Sequence, residues 1–131
     1  MNTVEKLLKI DAGKLKMPER TVTLKLAKLG IDLDFPCVAI SPETYSEIQE
    51  NSIEMRKGDI KRINMHKMKT LTIIEGCPTV FKSKEVMEHF GCATPKELVN
   101  KLLLNGEMDD LYNAISELNG YEKDEEEDIK N

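Results

Sequence analysis

The sequence predicts a mainly α chain of α+β character, with about five or six short helices, one N-terminal β-hairpin near residues 20–40 and a disordered acidic C-terminal tail. Three observations carry this. Aromatic residues make up 5% of the 131 residues and Trp is absent, so Leu, Ile and Met must build the core, which favours helices over a β-sandwich. Ser, Thr and Asn followed by Pro or Glu recur as helix-start signals. Clear alternation of apolar and polar residues is concentrated in residues 20–40.

A chain of this length forms one domain, here residues 1–121, followed by the tail 122–131. It can bury roughly two-thirds of its unfolded surface. Apolar content is 40%, charged content 33% and formal net charge -5, a balance that argues against a dedicated nucleic-acid binder. No apolar run reaches the ~18 residues of a membrane span. The start MNTVEKLLKI carries Glu5 and lacks a signal-peptide pattern. Cys37, Cys77 and Cys92 form no CxxC, and read as reduced thiols of a cytoplasmic protein.

In order, Asn2 and Thr3 cap a short helix with Val4, Leu7 and Leu8 on its apolar side, fading at Asp11-Ala12-Gly13. So short a helix is marginal in water without a partner surface. Residues 14–19 read as a linker punctuated by Pro18. Val22, Leu24 and Leu26 alternate with Thr21, Thr23 and Lys25 as one strand. Lys28-Leu29-Gly30 is the turn. Ile31, Leu33 and Phe35 form a second strand ending near Pro36, which residues 37–40 resume as an edge. Ser41-Pro42-Glu43 starts a helix carrying Tyr45, Ile48, Ser52 and Met55, stopped at Arg56-Lys57-Gly58-Asp59. Residues 60–63 are ambiguous. The next helix starts at Asn64 or Lys67 and ends at Gly76 and Pro78, although Thr70–Ile74 also fits a strand. Thr79-Val80-Phe81 reads as an extended link. Ser83 caps a helix with Val86, Met87 and Phe90, ended by Gly91.

Residues 93–120 are the most legible stretch. Thr94, Pro95 and Glu97 form a capping box with a pre-set first turn. Leu98, Val99, Leu102 and Leu103 make an apolar stripe, and Asn105-Gly106 is expected to break the helix. Met108, Leu111, Ile115 and Leu118 line a second helix stopped at Asn119-Gly120. The two form a helical hairpin whose stripes must face each other, the rest of the chain or another protein. The tail holds six acids and two lysines, a net -4, and too few apolar residues to fold.

No catalytic constellation is present. His66 and His89 have no second pair of ligands at zinc spacing, and neither GxxxxGK[ST] nor GxGxxG occurs. No cofactor, metal site or enzymatic activity is expected. Arg56, Lys57, Lys61, Arg62, Lys67 and Lys69 concentrate positive charge mid-chain, as a solvated face or a nucleic-acid contact. Met55, Met65, Met68, Met87 and Met108 suit a core or an adaptable binding surface.

Phe90-Gly91, Ala93-Thr94-Pro95-Lys96-Glu97-Leu98, Lys101-Leu102-Leu103-Leu104, Gly106-Glu107 and Leu118-Asn119-Gly120-Tyr121 before an acidic end resemble the C-terminal signature of phage tail assembly chaperones of the XkdN-like type, found in contractile-tailed phages and prophages. Before Ser41 the resemblance is looser, and residues 56–69 depart from it most. The resemblance implies a helical, non-enzymatic assembly factor in the host bacterial cytoplasm, absent from the mature particle. Its implied partners are the tape measure protein, the tail tube protein and copies of itself. It also implies a longer form made by ribosomal frameshifting, with which Ile129-Lys130-Asn131 is compatible if its codons contain A-AAA-AAC. Met87, Phe90, Leu98, Leu102, Met108, Leu111, Tyr112, Ile115 and Leu118 are the partner-binding candidates. A nucleic-acid-binding regulator and a tail or baseplate component retained in the particle are the competing readings. Leu102→Asp or Leu111→Asp is expected either to unfold the hairpin or to abolish binding, and circular dichroism separates the two.

Overall fold

Helix starts in this chain are set by local side chains. Asn2, Ser41, Asn64 and Ser83 each accept a hydrogen bond from a backbone N–H three residues on, and Thr94 does the same from Glu97. In the computed structural model, which describes residues 2–121 apart from Lys57 and Asp59, these caps open α1 (Thr3–Leu8), α2 (Pro42–Asn51), α3 (Met65–Gly76), α5 (Lys84–His89) and α6 (Pro95–Leu102). A one-turn helix, α4 (Pro78–Phe81), and a longer one, α7 (Asn105–Leu118), complete the helical set. The acidic segment 122–131 expected to be disordered lies outside the described residues.

Strands β1 (Glu19–Leu26) and β2 (Ile31–Val38) form an antiparallel hairpin in which Val22 pairs Phe35, Leu24 pairs Leu33 and Leu26 pairs Ile31. Gly30 sits at φ 69° in its turn, a conformation that costs glycine little. The inward face carries Leu26, Phe35 and Cys37, all buried. On the outer face the Thr23 hydroxyl donates to Asp34 at 2.6 Å. β2 runs through Pro36 instead of ending there. In a two-stranded sheet both strands are edges, so a missing donor is tolerated.

Helix α3 is the centre. Met68, Thr70, Thr72, Ile73, Ile74 and Gly76 are buried around much of its circumference, as expected of a core helix and not of an amphipathic surface one. Helices α2, α6 and α7 pack on it, and α7 and α4 also meet the β1–β2 hairpin. Phe35 and Phe81 stack at 6.0 Å, joining β2 to α4. The stripes of α6 and α7 therefore meet chiefly through α3, and do not close on each other as a simple helical hairpin would.

Three expectations are corrected. First, α2 stops at Asn51, and Ser52 and Met55 are not on it. The Ser52 hydroxyl donates back to the Ile48 carbonyl at 2.7 Å, and the Ser52 carbonyl accepts from Asn64 N–H at 2.7 Å. The chain then forms a second antiparallel hairpin, β3 (Ile53–Arg56) and β4 (Ile60–Ile63), with Gly58 at φ 82° in the turn. Second, Thr79-Val80-Phe81 is helical, because Pro78 supplies a preformed first-turn φ directly after Cys77. Third, Asn105-Gly106 begins α7 and does not break a helix. The break lies at Leu103 and Leu104, both extended, where the Glu107 carboxylate accepts from Leu104 N–H at 2.8 Å and from Ala27 N–H at 2.9 Å. The helix expected from Asn64 or Lys67 to Gly76 is α3, capped by Asn64, and the alternative strand at Thr70–Ile74 does not form.

Gly76 is the last helical residue of α3 and has no positive φ, so it is not a C-cap glycine. Its role is closeness. A Cβ there would lie 2.5–2.8 Å from three side-chain carbons of Ile115 on α7. Gly76→Ala is therefore expected to cost about 1–3 kcal/mol by overpacking. Denaturant unfolding should show a lower midpoint at unchanged slope, whereas Gly106→Ala, which meets nothing within 4 Å, should show no such loss.

Candidate partner-binding surface

The nine apolar and aromatic residues expected to contact a partner divide into two groups. Leu98, Leu102, Met108, Leu111 and Ile115 are buried in the chain's own core. Their stripes are satisfied by α3 and the β1–β2 hairpin, and in this fold they offer no surface to another protein. Met87, Phe90 and Leu118 are half-buried against that core, and Tyr112 is half-buried on α7. Leu102→Asp and Leu111→Asp thus place a charge in a closed core, and unfolding is the outcome to expect.

The exposed apolar side chains lie elsewhere. Residues 2–18 form an arm in which no residue is buried: α1, a 3-10 turn over Ala12–Lys14 and an extended link to β1. Val4, Leu7, Leu8, Ile10, Leu15 and Met17 are all exposed, Leu8 at 80% and Leu15 at 90%. The arm is nevertheless built to be ordered. Asn2 Oδ1 accepts from Glu5 N–H at 2.8 Å, Asp11 Oδ1 accepts from Gly13 N–H at 2.9 Å, and the Pro18 carbonyl ties its root to Ala39.

The second exposed patch is the β3–β4 hairpin. Ile53 stands opposite Ile63 and Met55 opposite Lys61, so by the two-residue period Ile53, Met55 and Ile63 share one face. All three are exposed, and Met65 at the start of α3 adjoins them in sequence and is exposed too. Glu54 and Arg62 stand on the opposite face. Glu54 accepts from Asn64 at 2.7 Å and pairs with Arg62 at 3.8 Å. The basic stretch singled out in the sequence is this hairpin and the start of α3. The nine partner-binding candidates include neither patch, although the sequence marks α1 as needing a partner surface and Met55 and Met65 as suited to an adaptable one. The signals were Gly58 between two Ile-bearing runs, and a leader whose apolar residues had no partner element.

A third feature gathers the three tyrosines of the chain. Tyr45 on α2 lies 5.7 Å from Tyr121, and Tyr112 on α7 stands beside it. Tyr45, Gln49, Asn119 and Tyr121 line a groove between α2 and the end of α7. Asn119 Oδ1 accepts from Ile40 N–H at 2.7 Å, and its Nδ2 has no partner among the described residues. Burial, followed by the neighbouring phenols, pushes the Tyr45 pKa up to about 12.

Cys37 and Cys77 are buried and Cys92 is half-buried; all three are free thiols, and Cys37 Sγ donates to the Phe35 carbonyl at 3.6 Å. The neighbouring Cys77 thiol, assisted by Arg20, lowers the Cys37 pKa against its own burial, while Cys37 and burial raise that of Cys77. Among the described residues no group of three or more His, Cys, Asp or Glu could hold a metal ion, and no helix is long and apolar enough to cross a membrane.

A family model described as phage XkdN-like tail assembly chaperone protein matches residues 4–131. Among solved structures, the chain is similar to the crystal structure of the protein YqbN, a structural-genomics target. The two are 18% identical, the match covers 86% of this chain and 93% of that one, and the TM-score is 0.58. At that identity the likeness concerns the fold alone. No curated protein matches the chain.

The raised Tyr45 pKa sets an alkaline prediction. Its unfolded value is about 10, so the folded state holds the proton more tightly. The stability this contributes is fully present below about pH 10 and is lost as pH rises through about 12. Ultraviolet titration of the three phenols should show one ionising late, and Tyr45→Phe should remove that step.

Proposed function

The chain belongs to the phage XkdN-like tail assembly chaperone family, and from that premise we propose that it binds and solubilises the tape measure protein during tail morphogenesis, helps recruit tail tube subunits, and then leaves. The observation that carries this reading is the arm of residues 2–18, a capped amphipathic segment with six large apolar side chains held out in water. Exposed apolar surface on such a scale marks a contact site.

A long helical cargo awaiting its tube displays apolar stripes that would aggregate. A chaperone for it needs apolar contacts of moderate strength on elements that can be released. The arm and the β3–β4 hairpin have that character, since neither contributes its exposed apolar residues to the core. Short helices docking along a stripe follow helix-in-groove recognition. Several copies on one cargo would hold by multivalency and be displaced one at a time by tube subunits. The site of action is the host bacterial cytoplasm, and the mature particle would lack the protein. Copies of itself and a frameshifted longer form are further partners in this reading.

The test is co-expression with the tape measure protein of the same phage or prophage. The wild-type chain should keep that protein soluble and co-purify with it. Leu7→Ser with Leu8→Ser, or Met55→Ser with Ile63→Ser, should weaken co-purification by about tenfold or more while leaving thermal unfolding unchanged, because exposed positions carry little folding energy. An insoluble tape measure protein in the presence of wild-type chain would refute the reading.

A further inference from the structure

The two exposed apolar patches are also the basic parts of the molecule. Residues 2–18 carry four lysines against Glu5 and Asp11, a net +2. Residues 53–69 carry six cations against Glu54 and Asp59, a net +4. Together they hold +6 in a chain whose formal charge is -5, so everything else sums to -11. Charge and uncovered apolar surface are thus segregated together. Among the four ion pairs found within the described residues, none draws on a lysine of the arm; in the second stretch Lys69 pairs with Asp109 at 2.6 Å, and Arg62 has one weak contact to Glu54 at 3.8 Å.

We infer that the occupant of these patches is an amphipathic protein helix whose apolar stripe is flanked by carboxylates. This deepens the chaperone reading and rests on it. Val4, Leu7 and Leu8 on α1, and Ile53, Met55 and Ile63 on the hairpin, would cover the stripe, while Lys6, Lys9, Lys14 and Lys16 reach its acidic borders. Apolar side chains between the cations gain nothing from a phosphate backbone, which disfavours nucleic acid. The -11 on the rest of the chain opposes approach to an anionic membrane or any extended polyanion. A short acid-flanked helix touches only the basic patches and escapes that repulsion. The same segregation keeps the free protein from pairing patch to patch, because like patches of two copies repel.

Two model helices with an identical Leu stripe, one flanked by Glu and one by Lys, provide the probes, titrated against the full chain. The Glu-flanked helix should bind about tenfold tighter at low salt, and the advantage should shrink as ionic strength rises from about 0.05 M to about 0.5 M. Lys6→Glu with Lys9→Glu and Lys16→Glu should reverse the preference toward the Lys-flanked helix, an outcome that misfolding cannot mimic. Equal binding of both helices overturns the inference, as does tighter binding to duplex DNA or phosphatidylglycerol vesicles, or patch-mediated self-association in sedimentation. If the tape measure protein is still kept soluble, the chaperone reading survives any of these results. Failure of that co-purification, in contrast, would strike the reading itself.

Discussion

The close approach of α3 to α7 at Gly76 and Ile115 is the contact on which the architecture depends. With no Cβ at position 76, the Ile115 side chain occupies the space where one would sit. That lets α7 lie against α3 along much of its length, and it places Leu111 and Ile115 in the same core as Ile73 and Ile74. A helix buried around so much of its surface cannot also present an apolar face to cargo. The core therefore closes within the chain, and most of the large apolar residues exposed among the described residues lie on the arm and the β3–β4 hairpin, with Leu29, Ile31 and Leu104 exposed besides.

Polar clamps, more than apolar area, then locate the β1–β2 hairpin on this helical centre. At the tip, Lys28 donates to the carbonyls of Asn100 and Lys101 at the C-terminal end of α6, where a cation also complements the helix dipole. Beside it, Glu107 holds both Ala27 and the start of α7. At the other end Arg20 meets Glu117 at 3.3 Å, and Asn119 receives Ile40 N–H. The exposed ion pair alone is worth at most about 1 kcal/mol, so the backbone-directed bonds decide the register of the hairpin against α6 and α7. The root of the arm, tied to Ala39 through Pro18, is held by the same framework.

Helix starts were legible because a cap is a local event: Ser41, Asn64, Ser83 and Thr94 each act within three residues. The β1–β2 hairpin was legible because its alternation is strict. The β3–β4 hairpin was not, because Tyr45, Ile48, Ser52 and Met55 keep helical spacing straight across the point where the chain turns. What ends α2 there is the Ser52 hydroxyl returning to Ile48 and the long-range hold of Asn64 on Ser52, which no periodicity records. The end of α3 at Gly76 was legible as a glycine just before a proline, but the packing need for that glycine was not, because its partner Ile115 lies 39 residues away in sequence. The partner-binding candidates fared likewise. A strong apolar stripe such as Leu98-Leu102 or Leu111-Ile115 says that burial will occur, but not against what, and here the strongest stripes were taken by the chain itself.

That outcome follows from what the two kinds of apolar residue must do. A stripe strong enough to be obvious in sequence is strong enough to drive folding, so it is consumed before any partner arrives. Residues kept for reversible contact must lie on elements too short to fold a core around themselves, such as the six residues of α1 or the four-residue strands β3 and β4. Such elements stay uncovered only if something keeps copies of the chain apart, and placing lysines and arginines among their apolar residues does so without adding a competing internal contact. Under the proposed reading, the basic charge keeps like patches of two copies from closing on each other while it leaves their apolar residues open to an acid-flanked cargo.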